Sequence, residues 1–152
     1  MLGYIKLPYF LSNEQHQQFL SIGENIPDDD WIQHVSSVSG KPMGLNFYNL
    51  NTTFAGSKCF LVMMKPNDYI DWHTDGRTRN IALSYPLTTG YAPCQFKTGE
   101  KVDTPMFLNT QVKHAVFNNE NKRISLNISF LQDLDECVKI FEGMQSYEFM
   151  PS

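Results

Sequence analysis

With 152 residues, the chain is long enough to bury a sizeable core without disulfide staples and is expected to form a single domain over 1–152. Its 41% hydrophobic and 13% aromatic content exclude a disordered chain. The formal net charge of −4, with Lys and Arg scattered, argues against nucleic acid or a membrane surface as partner.

The opening residues Met1–Lys6 lack the basic-then-apolar pattern of a signal peptide, and no apolar run reaches the length of a membrane span. Ser12 precedes Phe19, Leu20, Ile22 and Ile26 at roughly helical spacing, and Ser12 with Gln15 fits a capping box. From Ile26 to Gly56 the chain is rich in Asp, Ser, Asn, Gly and Pro. It reads as loops with short strands around Trp31–Val35 and Leu45–Tyr48, and with Asp28–Asp30 as a solvated turn. Strands are expected at Cys59–Met64, stopped by Pro66-Asn67-Asp68, and at Ile81–Tyr85, ended by Pro86. Further strands are expected at Gln95–Lys97, Pro105–Leu108 and Val112–Phe117. The alternation of Arg123–Phe130 is the sharpest strand pattern in the chain. Leu134, Val138 and Phe141 then recur at helical spacing. Cys59, Cys94 and Cys137 match neither a disulfide framework nor a zinc site, so a reducing, cytoplasmic setting is expected. Many short strands separated by turns imply a sandwich or jelly roll.

Chemistry gathers at His73-Thr74-Asp75-Gly76 and at His114. In an extended segment His73 and Asp75 point to one side, and with His114 they make two imidazoles and one carboxylate. That is the donor set of a non-haem Fe(II) oxygenase site, which leaves coordination positions open. A hairpin closed over Asn118–Asn121 would set His114 opposite Ser125. His114, Arg123 and Ser125 would then share one face, and Ala115, Ile124, Leu126 and Ile128 the other. The fork of Arg123 suits a carboxylate, and Ser125 can add a hydroxyl donor.

The pattern His73-X-Asp75, then His114, then Arg123-X-Ser125 resembles the 2-oxoglutarate- and Fe(II)-dependent dioxygenases over roughly residues 58–130. The resemblance implies a mainly β fold with flanking helices, a double-stranded β-helix (jelly roll). It implies Fe(II) on His73, Asp75 and His114, with 2-oxoglutarate held by Arg123 and dioxygen as the second cosubstrate. His114–Asn118 followed by Arg123–Leu126 is similar to the aspartyl/asparaginyl β-hydroxylase group, which places an arginine where Arg79 stands. Tyr4–Ser12 is instead similar to prolyl-hydroxylase-like members. Those often carry a tyrosine three residues before the first histidine; here Ile70 is there and Tyr69 one place earlier. The implied substrate is a peptidyl Pro, Asn or Asp, or a free amino acid.

Several residues read two ways. Tyr69, Tyr85 and Asn127 either bond the cosubstrate or belong to the sheet. Arg79 and Asn80 either bind cosubstrate or substrate, or continue a solvated Arg77-Thr78-Arg79 turn. Trp31, Trp72 and Phe47 either wall a pocket or fill the core. His16 and His34 read as ordinary. Two other functions stay open: a non-enzymatic jelly-roll module with a ligand in its mouth, and a cupin-like metal enzyme that needs no oxo acid.

Overall fold

A computed structural model describes residues 2–36, 39–76, 79–144 and 146–151. The elements in chain order are β1 (Tyr4–Lys6), α1 (Asn13–Asn25), β2 (Ile32–Val35), β3 (Pro42–Phe54), β4 (Ser57–Met64), β5 (Tyr69–His73), β6 (Ile81–Pro86) and β7 (Cys94–Phe96). They continue with β8 (Lys101–Val102), β9 (Met106–Asn109), β10 (His114–Phe117), β11 (Arg123–Phe130), α2 (Leu134–Glu142) and β12 (Phe149–Pro151). Eight strands form one sheet in the order β1-β9-β6-β11-β4-β3-β12, with β2 also on β3. Four form a second, β5-β10-β7-β8. Every pairing is antiparallel. The architecture is the expected jelly roll with flanking helices.

Each sheet face has its own partner. Ile124, Leu126 and Ile128 of β11, Leu61 and Met63 of β4 and Leu83 and Tyr85 of β6 point away from the small sheet. They form one core with Phe19 of α1 and Cys137 and Phe141 of α2. Met64, Ala82, Met106 and Leu108 point the other way and meet Ile70, Cys94, Phe96 and Val116 of the small sheet. This two-sided burial sets the strict alternation of β11. The helix ends follow local chemistry. Ser12 Oγ accepts from the Gln15 backbone N–H and Gln15 Oε1 from that of Ser12, the capping box expected. Asp133 caps α2 by accepting from the Glu136 N–H. All three cysteines are buried and free, and burial pushes each thiol up to about 12. Among the described residues no helix is long and apolar enough to cross a membrane.

Two expectations are corrected, and β5 adds a feature the sequence reading did not address. Residues 42–54 are not loop with a short strand but one thirteen-residue strand. Met43, Leu45 and Phe47 face the small sheet while Tyr48 and Leu50 pack toward the helices, so the alternation that marks a half-buried strand is missing. His114 and Arg123 do not belong to one hairpin. β10 pairs with β5 and β7, β11 with β4 and β6, and the segment between them crosses from one sheet to the other. Asn118 anchors that crossing by donating to the backbone oxygens of Lys65 and Asn121, both at 2.9 Å. Lastly, β5 carries a bulge. Val116 lies opposite Ile70 and His114 opposite His73, so two steps on β10 match three on β5. Without the extra residue, His73 would face opposite to Ile70.

β3 and β5 meet where Gly44 lies against the Asp68–Tyr69 backbone. A Cβ on Gly44 would overlap the Tyr69 carbonyl oxygen and sit 2.6 Å from Asp68 Oδ1. Gly44→Ala is therefore expected to lower stability by about 3 kcal/mol, measured by urea unfolding. A loss below about 0.5 kcal/mol would show that the two strands separate there at little cost.

Candidate metal centre

The bulge in β5 brings His73 onto the inner side of the small sheet, directly opposite His114 on β10. Their rings lie 4.3 Å apart, centroid to centroid. Asp75 follows the end of β5. Its backbone N–H donates to the Thr110 carbonyl at 2.9 Å, and Gly76 completes the turn at φ +66°, a conformation glycine adopts without strain. His73, Asp75 and His114 thereby each offer one donor atom, all within 4.8 Å of one another. The i,i+2 reasoning for His73 and Asp75 holds although only His73 lies in the strand.

Hydrogen bonding decides which ring nitrogens face the centre. His73 Nδ1 lies 2.8 Å from the Asp71 carbonyl oxygen, and His114 Nδ1 2.7 Å from that of Val112. A carbonyl only accepts, so both Nδ1 atoms carry the proton. The Nε2 atoms then point inward, each 3.2 Å from Asp75 Oδ1. With neutral rings these contacts set lone pair against lone pair. A cation between them, a proton or a metal, turns repulsion into attraction.

Arg79 occupies the other carboxylate oxygen. Its Nε and Nη2 donate to Asp75 Oδ2 at 2.9 and 2.8 Å, and Nη1 donates to Ser129 Oγ at 3.2 Å. The guanidinium is committed to the carboxylate, so Arg79 holds Asp75 rather than a cosubstrate, a correction to one of the two readings above. Arg77 and Thr78 lie outside the described residues. Burial alone would raise the Asp75 pKa, but the His114 and His73 contacts and the Arg79 charge hold the carboxyl well below the usual range. For His73, burial opposes the charged form, yet bonds to Asp75 and the Asp71 carbonyl outweigh it and raise the pKa.

Opposite the triad, the inner face of β11 carries Arg123, Ser125 and Asn127, paired with Met64, Val62 and Phe60 of β4. Arg123 is buried; its Nε donates to the Ala92 carbonyl at 3.0 Å and its guanidinium lies 3.9 Å from the Tyr91 ring centroid. Among the described residues it has no carboxylate partner, and no bond engages its terminal nitrogens. Ser125 donates its hydroxyl to Asn127 Oδ1 at 3.0 Å, which leaves the Asn127 amide nitrogen as the donor without a described partner. The shared face expected for His114, Arg123 and Ser125 thus arises across two sheets, not within a hairpin.

Other candidates lie elsewhere. Tyr69 does not join the site: it is 58% exposed, stacks on Phe117 and points opposite to Ile70. Tyr85 is buried on the helix side and accepts from the Leu11 N–H. Trp31 is core, whereas Phe47 lines the inner face opposite Val62. Trp72 packs against Phe117 and under Lys97. His16 is bonded to the Leu87 carbonyl at 3.0 Å, as an ordinary structural histidine is. Thr110 and Gln111 escaped the sequence reading. Thr110 Oγ1 bonds the Arg79 and Asn80 carbonyls and Gln111 Nε2 those of Gly76 and Arg79, fastening the turn that carries Asp75. Their separation from Asp75 left no local pattern to read.

No protein-family model matches the chain, and comparison with curated proteins finds no match. Solved structures do match. A prolyl-4-hydroxylase from Pseudomonas putida superposes with a TM-score of 0.64 at 12% identity, over 86% of this chain and 93% of that one. A viral collagen prolyl hydroxylase from Paramecium Bursaria Chlorella virus-1, in a 2OG complex, gives 0.57 at 14% identity over 84% and 95%. An oxidoreductase of the 2OG-Fe(II) oxygenase family from Burkholderia pseudomallei gives 0.58 at 10% identity over 86% of each chain. At such identities the likeness establishes the fold, the jelly roll of the 2OG-Fe(II) oxygenases.

A divalent metal held by these donors competes with protons for His73. Its affinity should fall as pH drops, starting above the ordinary imidazole value of 6.5 because the His73 pKa is raised. Arg79→Lys keeps the charge but loses the fork, and should weaken Mn(II) about tenfold. Calorimetric titration across pH reads both; Mn(II) affinity flat across roughly pH 5.5 to 8, the imidazole range, would separate His73 from the metal.

Proposed function

We propose that this chain is an Fe(II)- and 2-oxoglutarate-dependent dioxygenase that hydroxylates an unactivated C–H bond, of a peptidyl Pro, Asn or Asp or of a free amino acid. The observation that carries this reading is the convergence of His73, Asp75 and His114 donor atoms within 4.8 Å, facing a buried arginine that has no carboxylate partner among the described residues. Two imidazole nitrogens and one carboxylate oxygen suit Fe(II) and leave positions for a chelating oxo acid. The solved structures that share the fold, two of them prolyl hydroxylases and one in a 2OG complex, support the same reading.

The residues divide the work. His73 and His114 keep their Nε2 lone pairs inward by giving Nδ1–H to backbone carbonyls. Arg79 keeps Asp75 ionised and occupies Oδ2, so that Oδ1 is the oxygen presented. Arg123 takes the distal carboxylate of the cosubstrate. Its guanidinium is held by the Ala92 carbonyl and the Tyr91 ring, and a buried charge of this kind is costly until an anion pairs with it. Asn127 adds a donor beside it. Met64, Val62 and Val116 keep the space between the sheets apolar and limit water. Fe(II) and 2-oxoglutarate, when bound, would let dioxygen serve as the oxidant: 2-oxoglutarate and the substrate C–H bond would each give up one electron pair, with one oxygen atom leaving in succinate as CO2 is lost and the other entering the substrate as C–OH.

Without oxygen, the Mn(II)-loaded protein should bind 2-oxoglutarate. Arg123→Gln should weaken that binding by about 100-fold, the scale for one partner lost from a buried charge pair, while Mn(II) affinity stays within about twofold. Asp75→Ala should lose Mn(II), and with it Fe(II)-dependent succinate release in air. A wild-type protein that binds Mn(II) but no 2-oxoglutarate would sink the proposal.

A further inference from the structure

The segment Asn118-Asn119-Glu120-Asn121 joins β10, which opens with His114, to β11, which opens with Arg123. On one side it is fastened to the turn that leads into β5. The Asn118 N–H donates to the Asp68 carbonyl at 2.9 Å, and the Asn67 N–H donates to the Asn119 carbonyl at 2.7 Å. Within the segment, Asn119 Oδ1 accepts from the Asn121 N–H at 2.9 Å, which fixes the side-chain amide. Asn119 Nδ2 then reaches the other side, where it donates to the Gly90 carbonyl at 2.9 Å.

Gly90 lies in the connection from β6 to β7. That connection is tied to β11 at its start: the Leu87 N–H donates to the Ile124 carbonyl at 3.0 Å, and Thr88 Oγ1 accepts from the Ile124 N–H at 3.1 Å. Tyr91 and Ala92, the two residues after Gly90, hold the Arg123 side chain, with the Tyr91 ring centroid 3.9 Å from Cζ and the Ala92 carbonyl 3.0 Å from Nε. Gly90 is the loosest joint between the two ties. Its φ is +64°, and without a Cβ the peptide planes on either side of it rotate at little cost. The Gly90 carbonyl and the Tyr91 nitrogen belong to one rigid peptide plane, so holding that carbonyl also holds Tyr91. Among the described residues no group other than the Asn119 amide donates to it.

We infer that Asn119 is a positioning residue for the cosubstrate: by holding the Gly90 carbonyl it sets Tyr91 and Ala92 against Arg123, and so aims the guanidinium at the distal carboxylate of 2-oxoglutarate. This inference rests on the function proposed above. Asn119 acts through the Gly90–Ala92 backbone and not by contact with the ligand. A cation fixed before its anion arrives spares binding the cost of ordering it.

The test measures dissociation constants, by calorimetry without oxygen on the Mn(II)-loaded protein, for 2-oxoglutarate and for oxalate, a metal chelator with no distal carboxylate. Asn119→Ala should weaken 2-oxoglutarate about fivefold, the worth of one hydrogen bond. Gly90→Ala puts a Cβ 2.6 Å from Asn121 Nδ2 at a φ that alanine rarely adopts, and should weaken it likewise, checking the same joint from its other side. Mn(II) and oxalate constants should stay within about twofold of wild type in both variants. In an Arg123→Gln background, adding Asn119→Ala should change 2-oxoglutarate affinity by less than about twofold, because the residue it positions is gone. Unchanged 2-oxoglutarate affinity in Asn119→Ala overturns the inference. So does an equal fall in oxalate or Mn(II) affinity, the mark of a general loosening, and so does the same loss persisting without Arg123. Wild type that binds Mn(II) but no 2-oxoglutarate refutes the preceding proposal instead, so the two failures are distinguishable.

Discussion

Asp75 is the point on which this structure turns. Its carboxylate is almost wholly buried, and a buried anion persists only if every lone pair is answered. One oxygen is answered by the forked guanidinium of Arg79; the other faces two imidazole Nε2 atoms from adjacent strands and is answered only when a cation, a proton or a metal, lies between them. Meeting those demands draws in three distant stretches of chain. β5 must bulge so that His73 turns inward, β10 must lie beside it in the register that sets His114 opposite, and the Thr110–Gln111 corner must hold the backbone of Asp75, Gly76 and Arg79. The small sheet is ordered around this carboxylate as much as around its apolar residues.

The large sheet obeys a different constraint. Its outer face is sealed by α1 and α2 over Ile124, Leu126 and Ile128, and Gly23 lets the first helix come within 3.1 Å of the Ile124 side chain, measured to the position its own Cβ would take. Sealing one face rigidly frees the other to be polar. Arg123, Ser125 and Asn127 stand on the same strand as that core, one residue out of phase. The position of Arg123 is therefore set by the packing of its neighbours and not by a partner of its own charge. A site built on a strand in this way holds its cation still without neutralising it.

What was legible in the sequence follows from these constraints. β11 was readable because its two faces meet different surroundings, so polarity alternates. β3 was not, because helices cover one face and the small sheet lies under the other, and Gly44, Asn46, Asn49 and Asn51 read as turn residues. The donors themselves were legible by residue type and order. The means of their convergence was not: a hairpin is the default for neighbouring strands, yet the jelly roll sends β10 and β11 to separate sheets, and the common face comes from sheets that oppose each other. Parity within a hairpin and opposition across two sheets happened to put His114 and Arg123 on the same side. Tyr69 shows the limit. Proximity to His73 in sequence suggested a place in the site, but the pleat turns its side chain outward onto Phe117.

The proposed function draws on an asymmetry between Arg79 and Arg123. Arg79 shares its charge with a carboxylate of the same chain, so it organises the centre whatever else is bound. Arg123, the more deeply buried of the two and matched among the described residues by a carbonyl and an aromatic face, leaves a deficit that an anion of the right length removes. Exchange their environments and neither function survives: an unpaired arginine at the triad would compete with a metal cation, and a paired one on β11 would have nothing left to offer a ligand. The separation of one satisfied and one unsatisfied cation across the space between two sheets gives that space its direction, with the clustered His73, Asp75 and His114 donors at one end and, on the proposed reading, the anion-binding arginine at the other.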